Sequence, residues 1–256
     1  MTKEKRTPLL FVGHGNPMNA IDDNIYTREW EIVGKKLSPP KAIVCMSAHW
    51  LTTGSFVTSS LKPEIIYDFY GFPEKLYHVS YSAKGSPQLA SEIHDTNQLV
   101  QIDTQRGLDH GTWTVLKRMF PSATIPVLQI SIDYSADPKD QFELMNTLRE
   151  LRNKNILFLG SGNIVHNLGL ATENHNPYDW ALEFEEKSKL LIEKGDKQSL
   201  IKYKKLGQSA KMSIPTDDHY RPMLNTLALK YDDENPTFFN QGIDLASISM
   251  LSFIFM

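Results

Sequence analysis

Leu9-Leu10-Phe11-Val12-Gly13-His14-Gly15-Asn16-Pro17 is an apolar run that breaks at once into glycine, histidine, glycine, asparagine and proline. A continuous apolar run bounded by turn residues reads as a buried strand, and the flanking glycines predict a sharp, open turn that presents the imidazole. The pattern returns twice. Ala42-Ile43-Val44-Cys45-Met46-Ser47 runs into Ala48-His49-Trp50, and Ile156-Leu157-Phe158-Leu159-Gly160 runs into Ser161-Gly162-Asn163 and then His166. Three such runs predict a sheet that points a histidine from each of three strands toward the same end.

The segments between these runs read as helices and further strands. Thr27 is expected to cap a helix carrying Trp30, Val33 and Leu37 that Pro39-Pro40 ends, while Ser86-Pro87 and Asp137-Pro138 start two more. Strands are expected at 55–59, 99–102 and 125–130, with Pro126 confined to the first residues of its strand or to a sheet edge. Gly107-Leu108-Asp109-His110-Gly111-Thr112-Trp113 is a second glycine-flanked histidine, with a helix following through Val115, Leu116 and Met119. Beyond His166, residues 180–193 read as an amphipathic helix, the lysine-rich 194–211 as a solvated helix or loop, and 215–220 as the capped entry to a helix with Met223, Leu224 and Leu227. The alternation in 245–255 reads as a final strand, paired with Thr237-Phe238-Phe239. Strand and helix in alternation predict an α/β fold. The expectation is a single three-layer domain over 1–256, with a central mostly parallel, mixed sheet flanked by helices.

Composition narrows the function. With Lys+Arg 27 against Asp+Glu 30 and a net charge of −3, no basic block resembles a footprint for a phosphate backbone, so nucleic acid is not an expected partner. No apolar run is long enough to span a bilayer, and the first residues lead straight into a strand, so a soluble, cytoplasmic protein without a membrane partner is expected. The single cysteine, Cys45, excludes an internal disulfide and a thiolate-based zinc site. It reads as a small core residue.

Of eight histidines, His78, His94 and His175 lie in polar or helical surroundings and read as surface residues. His14, His49, His110, His166 and His219 sit instead at strand ends, beside glycine or at a helix start. Neutral imidazoles without cysteine partners suit a borderline divalent ion such as iron(II), zinc or copper, whereas Mg²⁺ and Ca²⁺ prefer oxygen ligands. No His-x-x-x-His helix is present, so the ligands would have to come from separate elements. The stretch Tyr67-Asp68-Phe69-Tyr70-Gly71-Phe72-Pro73 is aromatic without a regular period, as loops that line or cover a site are.

Six motifs occur in an order that resembles the class III extradiol ring-cleavage dioxygenases, and among them the DOPA 4,5-dioxygenase group. They are Gly13-His14-Gly15-Asn16-Pro17, Ser47-Ala48-His49-Trp50, Asp68-Phe69-Tyr70-Gly71-Phe72-Pro73, Leu108-Asp109-His110-Gly111-Thr112-Trp113, Gly160-Ser161-Gly162-Asn163-Ile164-Val165-His166-Asn167-Leu168 and Asp218-His219-Tyr220. The resemblance covers nearly the whole chain. It implies one divalent metal per chain, Fe(II) for activity or Zn(II) as found bound, held by His14, His49 and His219, with His166 as base and a candidate fourth ligand. His110 would be an acid or oxygen-binding group. Asp68, Phe69, Tyr70, Phe72 and Trp113 would meet the substrate, a para-substituted catechol opened with O2 by a monomer or small homo-oligomer. In the protocatechuate branch a glutamate stands where this chain has His219. An all-histidine site also suits zinc, which leaves two other expectations open: a zinc hydrolase with Asp109 or Asp218 as its carboxylate base, and a non-catalytic binding protein that kept the fold.

Overall fold

The computed structural model describes residues 6–173 and 176–256. In chain order the elements are β1 (Leu9–Gly13), α1 (Ile25–Lys36), β2 (Ala42–Thr52), β3 (Ser55–Thr58), α2 (Glu74–Tyr77), α3 (Pro87–Thr96), β4 (Val100–Asp103), α4 (His110–Met119), β5 (Val127–Asp133), α5 (Pro138–Asn146) and β6 (Ile156–Gly162). After these come α6 (Asp179–Lys194), α7 (Lys197–Ile201), α8 (Gln208–Ser213), α9 (Arg221–Ala228), β7 (Pro236–Phe239), β8 (Ile243–Asp244), β9 (Ile248–Ser249) and β10 (Ser252–Phe255).

Eight strands form one sheet in the order β4-β3-β5-β2-β6-β1-β10-β7. The centre, β5-β2-β6-β1, is parallel, whereas β10 runs antiparallel to β1 and to β7. The chain therefore has the α/β fold with a mixed, mostly parallel sheet that its sequence predicts. Because successive side chains of a strand leave opposite faces, β1 sends Leu9 and Phe11 into one core and Leu10 and Val12 into the other. The first core packs under α3, α5, α6 and α9, and the second under α1 and α4. Cys45 lies in the second core, where burial pushes its thiol up and leaves it a small apolar filler.

Four local expectations need correction. The cap of α1 is Asn24, whose side chain accepts from Tyr26 and Thr27 amides, while Thr27 is the reciprocal partner of a capping box. A box needs two side chains three residues apart, and either can be mistaken for the cap when only one is considered. The lysine-rich 194–211 is not merely solvated: it folds into short helices that bury Leu200, Ile201, Tyr203 and Ala210 in the first core. The entry to α9 has no side-chain cap. Finally, 245–255 is not one strand. Leu245 and Ala246 have positive φ and turn β8 back onto β9 before β10 begins. Pro126 directly precedes β5, so its missing N–H removes no ladder bond from this interior strand.

His78 is exposed, and His94 is half-buried with Nδ1 2.8 Å from the Val100 carbonyl. His175 lies outside the described residues. No helix among the described residues is long and apolar enough to cross a membrane.

Candidate metal centre

The carboxyl ends of β1, β2 and β6 deliver the first histidines. His14 follows β1 directly, and its amide donates to the Gly162 carbonyl at 3.1 Å. His49 lies within β2 where the register against β5 shifts between Met46 and Leu51, an irregularity of the kind that re-aims a side chain. His219 comes from the far side of the chain. Its backbone packs on β6 because position 162 is glycine: a Cβ there would stand 2.2 Å from the His219 carbonyl oxygen. The Asn163 amide donates to that same oxygen at 2.9 Å.

The result is a convergence of nitrogens. One ligand atom from each of His14, His49 and His219 lies within 4.8 Å of the others, and the Nε2 atoms of His14 and His49 are 3.1 Å apart. Two imidazole nitrogens each about 2.1 Å from a common ion stand at about this separation. The sequence presents these rings at turns, yet they are not open to solvent: His14 is only 2% and His219 only 6% exposed. Burial, followed by the neighbouring imidazoles, lowers His14 well below the usual histidine range. The same causes bring His49 down to about 3. His219 is lowered to about 4 by burial and His166, against the opposing pull of Asp218. All three are neutral at pH 7, the protonation state a metal ligand requires.

Each ring is held by its other nitrogen. Ser161 Oγ donates to the Gly111 carbonyl at 2.5 Å and so accepts from His14 Nδ1, 3.0 Å away. This fixes the tautomer that leaves His14 Nε2 a free lone pair. His219 Nδ1 is 2.6 Å from Asp218 Oδ2, which does the same for its Nε2. Asp68 serves two rings, with Oδ2 3.6 Å from His49 Nδ1 and Oδ1 3.0 Å from His110 Nδ1, and it also accepts the His110 amide at 2.9 Å. Burial alone would raise this carboxyl, but the hydrogen bonds and charge of His110 outweigh it and hold Asp68 below the usual range. The donor set therefore fits a divalent ion of borderline softness, with a hydrogen-bonded oxygen partner behind two of its three imidazoles and a carboxylate near the third.

His110 begins α4, capped by Asp109, which accepts from the Thr112 amide at 3.1 Å. Asp109 is fully buried and also takes hydrogen bonds from Ser47 Oγ at 2.7 Å and Gln129 Nε2 at 2.6 Å. It ties the helix start to β2 and β5 and has no oxygen left for a water. Asp218 meets His219 Nδ1 through Oδ2 alone, and its buried Oδ1 has no hydrogen-bond partner among the described residues. Of the two carboxylates offered for hydrolysis, Asp109 is not a free base.

His166 stacks on His219, ring centroids 3.5 Å apart and planes 7° from parallel. Its ligand atom groups with those of Asp218 and His219. Burial pushes it down to about 4, with Asp218 opposing. All five histidines line one cavity of about 260 Å³, whose remaining wall includes Pro17, Asp68, Phe72, Leu168, Asp244, Leu245 and Ile248. The aromatic loop divides. Phe72 and Asp68 reach the cavity; Phe69 stands edge-on to His110 at 5.5 Å and to Phe72 at 5.4 Å, forming a layer behind. Tyr70 is 92% exposed, and Trp113 is fully buried with its indole N–H on the Ile66 carbonyl; neither lines the cavity. The sequence motifs do not single out Ser161, although it sits inside Gly160-Ser161-Gly162. Asp244, Leu245 and Ile248 carry no motif at all.

A family model for the catalytic LigB subunit of aromatic ring-opening dioxygenase matches residues 16–255, a span that starts just after His14. An Escherichia coli (strain K12) protein named 4,5-DOPA dioxygenase extradiol is 41% identical over 96% of this chain and 94% of its own. A Beta vulgaris protein of the same name is 36% identical over 83% of each. The crystal structure of an uncharacterized Escherichia coli K12 protein superposes with a TM-score of 0.85 at 38% identity, covering 97% of this chain and 99% of the other. With histidines gathered at the carboxyl ends of β1, β2 and β6 and similarity along nearly all its length, the chain belongs to the LigB family of aromatic ring-opening dioxygenases.

Proposed function

We propose that this chain opens a catechol ring by extradiol cleavage with O2, using one Fe(II) held by His14, His49 and His219, and that residues 1–256 act as one catalytic domain. The observation that carries this reading is the convergence of three neutral imidazole nitrogens on a small cavity that His110 and His166 also face. A redox-active divalent ion, when bound, supplies the electron transfer that lets O2 react with a catecholate.

The chain's own residues do the rest. Phe72, Leu168 and Ile248 give the ring an apolar wall and keep water from it. His166, neutral at pH 7 and facing the cavity, takes a proton from a catechol hydroxyl. His110, with Asp68 3.0 Å from Nδ1, is supported in carrying a proton to oxygen as the ring opens. Both atoms of O2 end in the product, one at each new terminus.

The test is oxygen uptake by protein loaded anaerobically with Fe(II) and offered 4-methylcatechol, with the coloured ring-opened product followed by absorbance. Uptake equal to product formed is expected, and the zinc-loaded protein should consume none. Metal-dependent turnover that persists without O2 would overturn the reading in favour of a zinc hydrolase.

A further inference from the structure

The same cavity has a charged wall that the histidines do not explain, and the role inferred for that wall rests on the catechol chemistry proposed for the site. No lysine or arginine is among the described residues that line it. The two arginines nearest the motifs are spent elsewhere: Arg106 donates to the His49 carbonyl at 3.0 Å. Arg221 donates to the Asp133 and Ala136 carbonyls and pairs with Asp217. Of the two carboxylates on the wall, Asp68 is engaged by His110. Asp244 is not. Its Oδ1 accepts the Leu245 amide at 2.9 Å, and Oδ2 has no hydrogen-bond partner among the described residues.

The element that carries Asp244 is built at a cost. Leu245 and Ala246 both adopt left-handed backbone, φ 47° and 62°, a conformation disfavoured for residues with a Cβ. Such strain persists only where surrounding structure imposes it. Here the β8–β9 hairpin is pinned to the His166 segment: Ser249 N donates to the Val165 carbonyl at 2.9 Å and Asn167 N to the Ser247 carbonyl at 3.2 Å. The hairpin thereby sets Leu245, Ile248 and Asp244 against the cavity. A second carboxylate stands behind it, since the Tyr26 hydroxyl is pushed up by burial and then by the charges of Asp244 and Glu185.

We infer that Asp244 is a specificity-determining residue that makes the cavity prefer catechols whose para side chain carries an ammonium group, and disfavour those whose only side-chain charge is a carboxylate. Three probes decide it: 4-(2-aminoethyl)catechol, 4-ethylcatechol and 4-(carboxymethyl)catechol. kcat/KM on the iron-loaded protein, and Kd by calorimetry on the zinc-loaded protein under nitrogen, should both rank cation over neutral over anion. Each step should be about tenfold, as expected of one partly solvated charge contact. Asp244→Asn, which can still accept the Leu245 amide, should bring the cation-to-neutral ratio to about one, with the change carried in KM. If the three probes rank equally, if the anion is favoured, or if the ranking survives Asp244→Asn, the inference is overturned while the dioxygenase reading stands. If none of the three binds or is opened, it is the dioxygenase reading that fails.

Discussion

Two walls of one cavity are built on opposite principles. The histidine wall is relaxed: the three ligand-candidate rings have an oxygen partner beside Nδ1, and near them only Gly15 takes positive φ, the register shift in β2 at His49 costing no left-handed residue. The hairpin wall is strained, with two consecutive non-glycine residues in left-handed conformation and a carboxylate oxygen left without a hydrogen-bond partner among the described residues. A relaxed, over-determined set of rings keeps nitrogens in place for chemistry. A strained wall imposed by long-range pairing shapes what can enter, and it can change without touching the ligands.

The strongest way to break this contrast is to remove a ligand candidate. His49→Ala should abolish retention of one metal equivalent and all oxygen uptake while circular dichroism stays unchanged, because the His49 side chain faces the cavity and belongs to neither apolar core; metal analysis showing full occupancy would sink the ligand set. His166→Ala should keep most of the metal and lose two to four decades of turnover, roughly the range of a general base. Metal loss equal to that of His49→Ala would make His166 a ligand instead. The metal-free protein should weaken in acid. His166 and His219 fall to about 4 from an unfolded value of 6.5, so the unfolded chain binds more protons between those values. Their contribution is complete above pH 6.5 and drains away as pH falls through about 4, by roughly a few kcal/mol in total. Urea midpoints at pH 7.5, 5.5 and 4.5 check this, and a flat series would contradict it.

Smaller effects sharpen the comparison. Gly162→Ala forces a Cβ against the His219 carbonyl, and should cost about 1–3 kcal/mol while loosening metal binding, measured by chemical denaturation and by competition with a chelator. Unchanged metal affinity would mean that β6 does not set His219. Ala246→Gly relieves left-handed strain but removes one buried methyl. A net stabilisation below about 1 kcal/mol is expected, with metal binding unaltered. A lower Tm would show that the hairpin turn is not strained.

The aromatic loop shows how local reading can over-reach. Its composition marks a cover, and Phe72 and Asp68 do reach the cavity, but Tyr70 faces solvent and Trp113 lies in the core. A loop without a regular period gives no rule for which rings turn inward. Thr27 and Asn24 make the same point at a helix start, since each bonds the other's backbone and the sequence does not say which is the cap.

By itself, the sequence determined the strands that end in His14, His49 and His166, the helix that begins at His110, and the alternation that makes a mixed, mostly parallel sheet covered on both faces. Those features rest on local rules: apolar runs of strand length, glycine where backbone must turn, and capping residues at helix starts. Tertiary structure alone decided that His219, more than fifty residues beyond His166 in the sequence, stacks on it, that Ser161 fixes the His14 tautomer, and that Asp244 joins the cavity on a hairpin hung from β6's continuation. These depend on which distant backbones approach closely enough to bond. A glycine at 162 permits that approach without naming its partner, so only the folded chain reveals it.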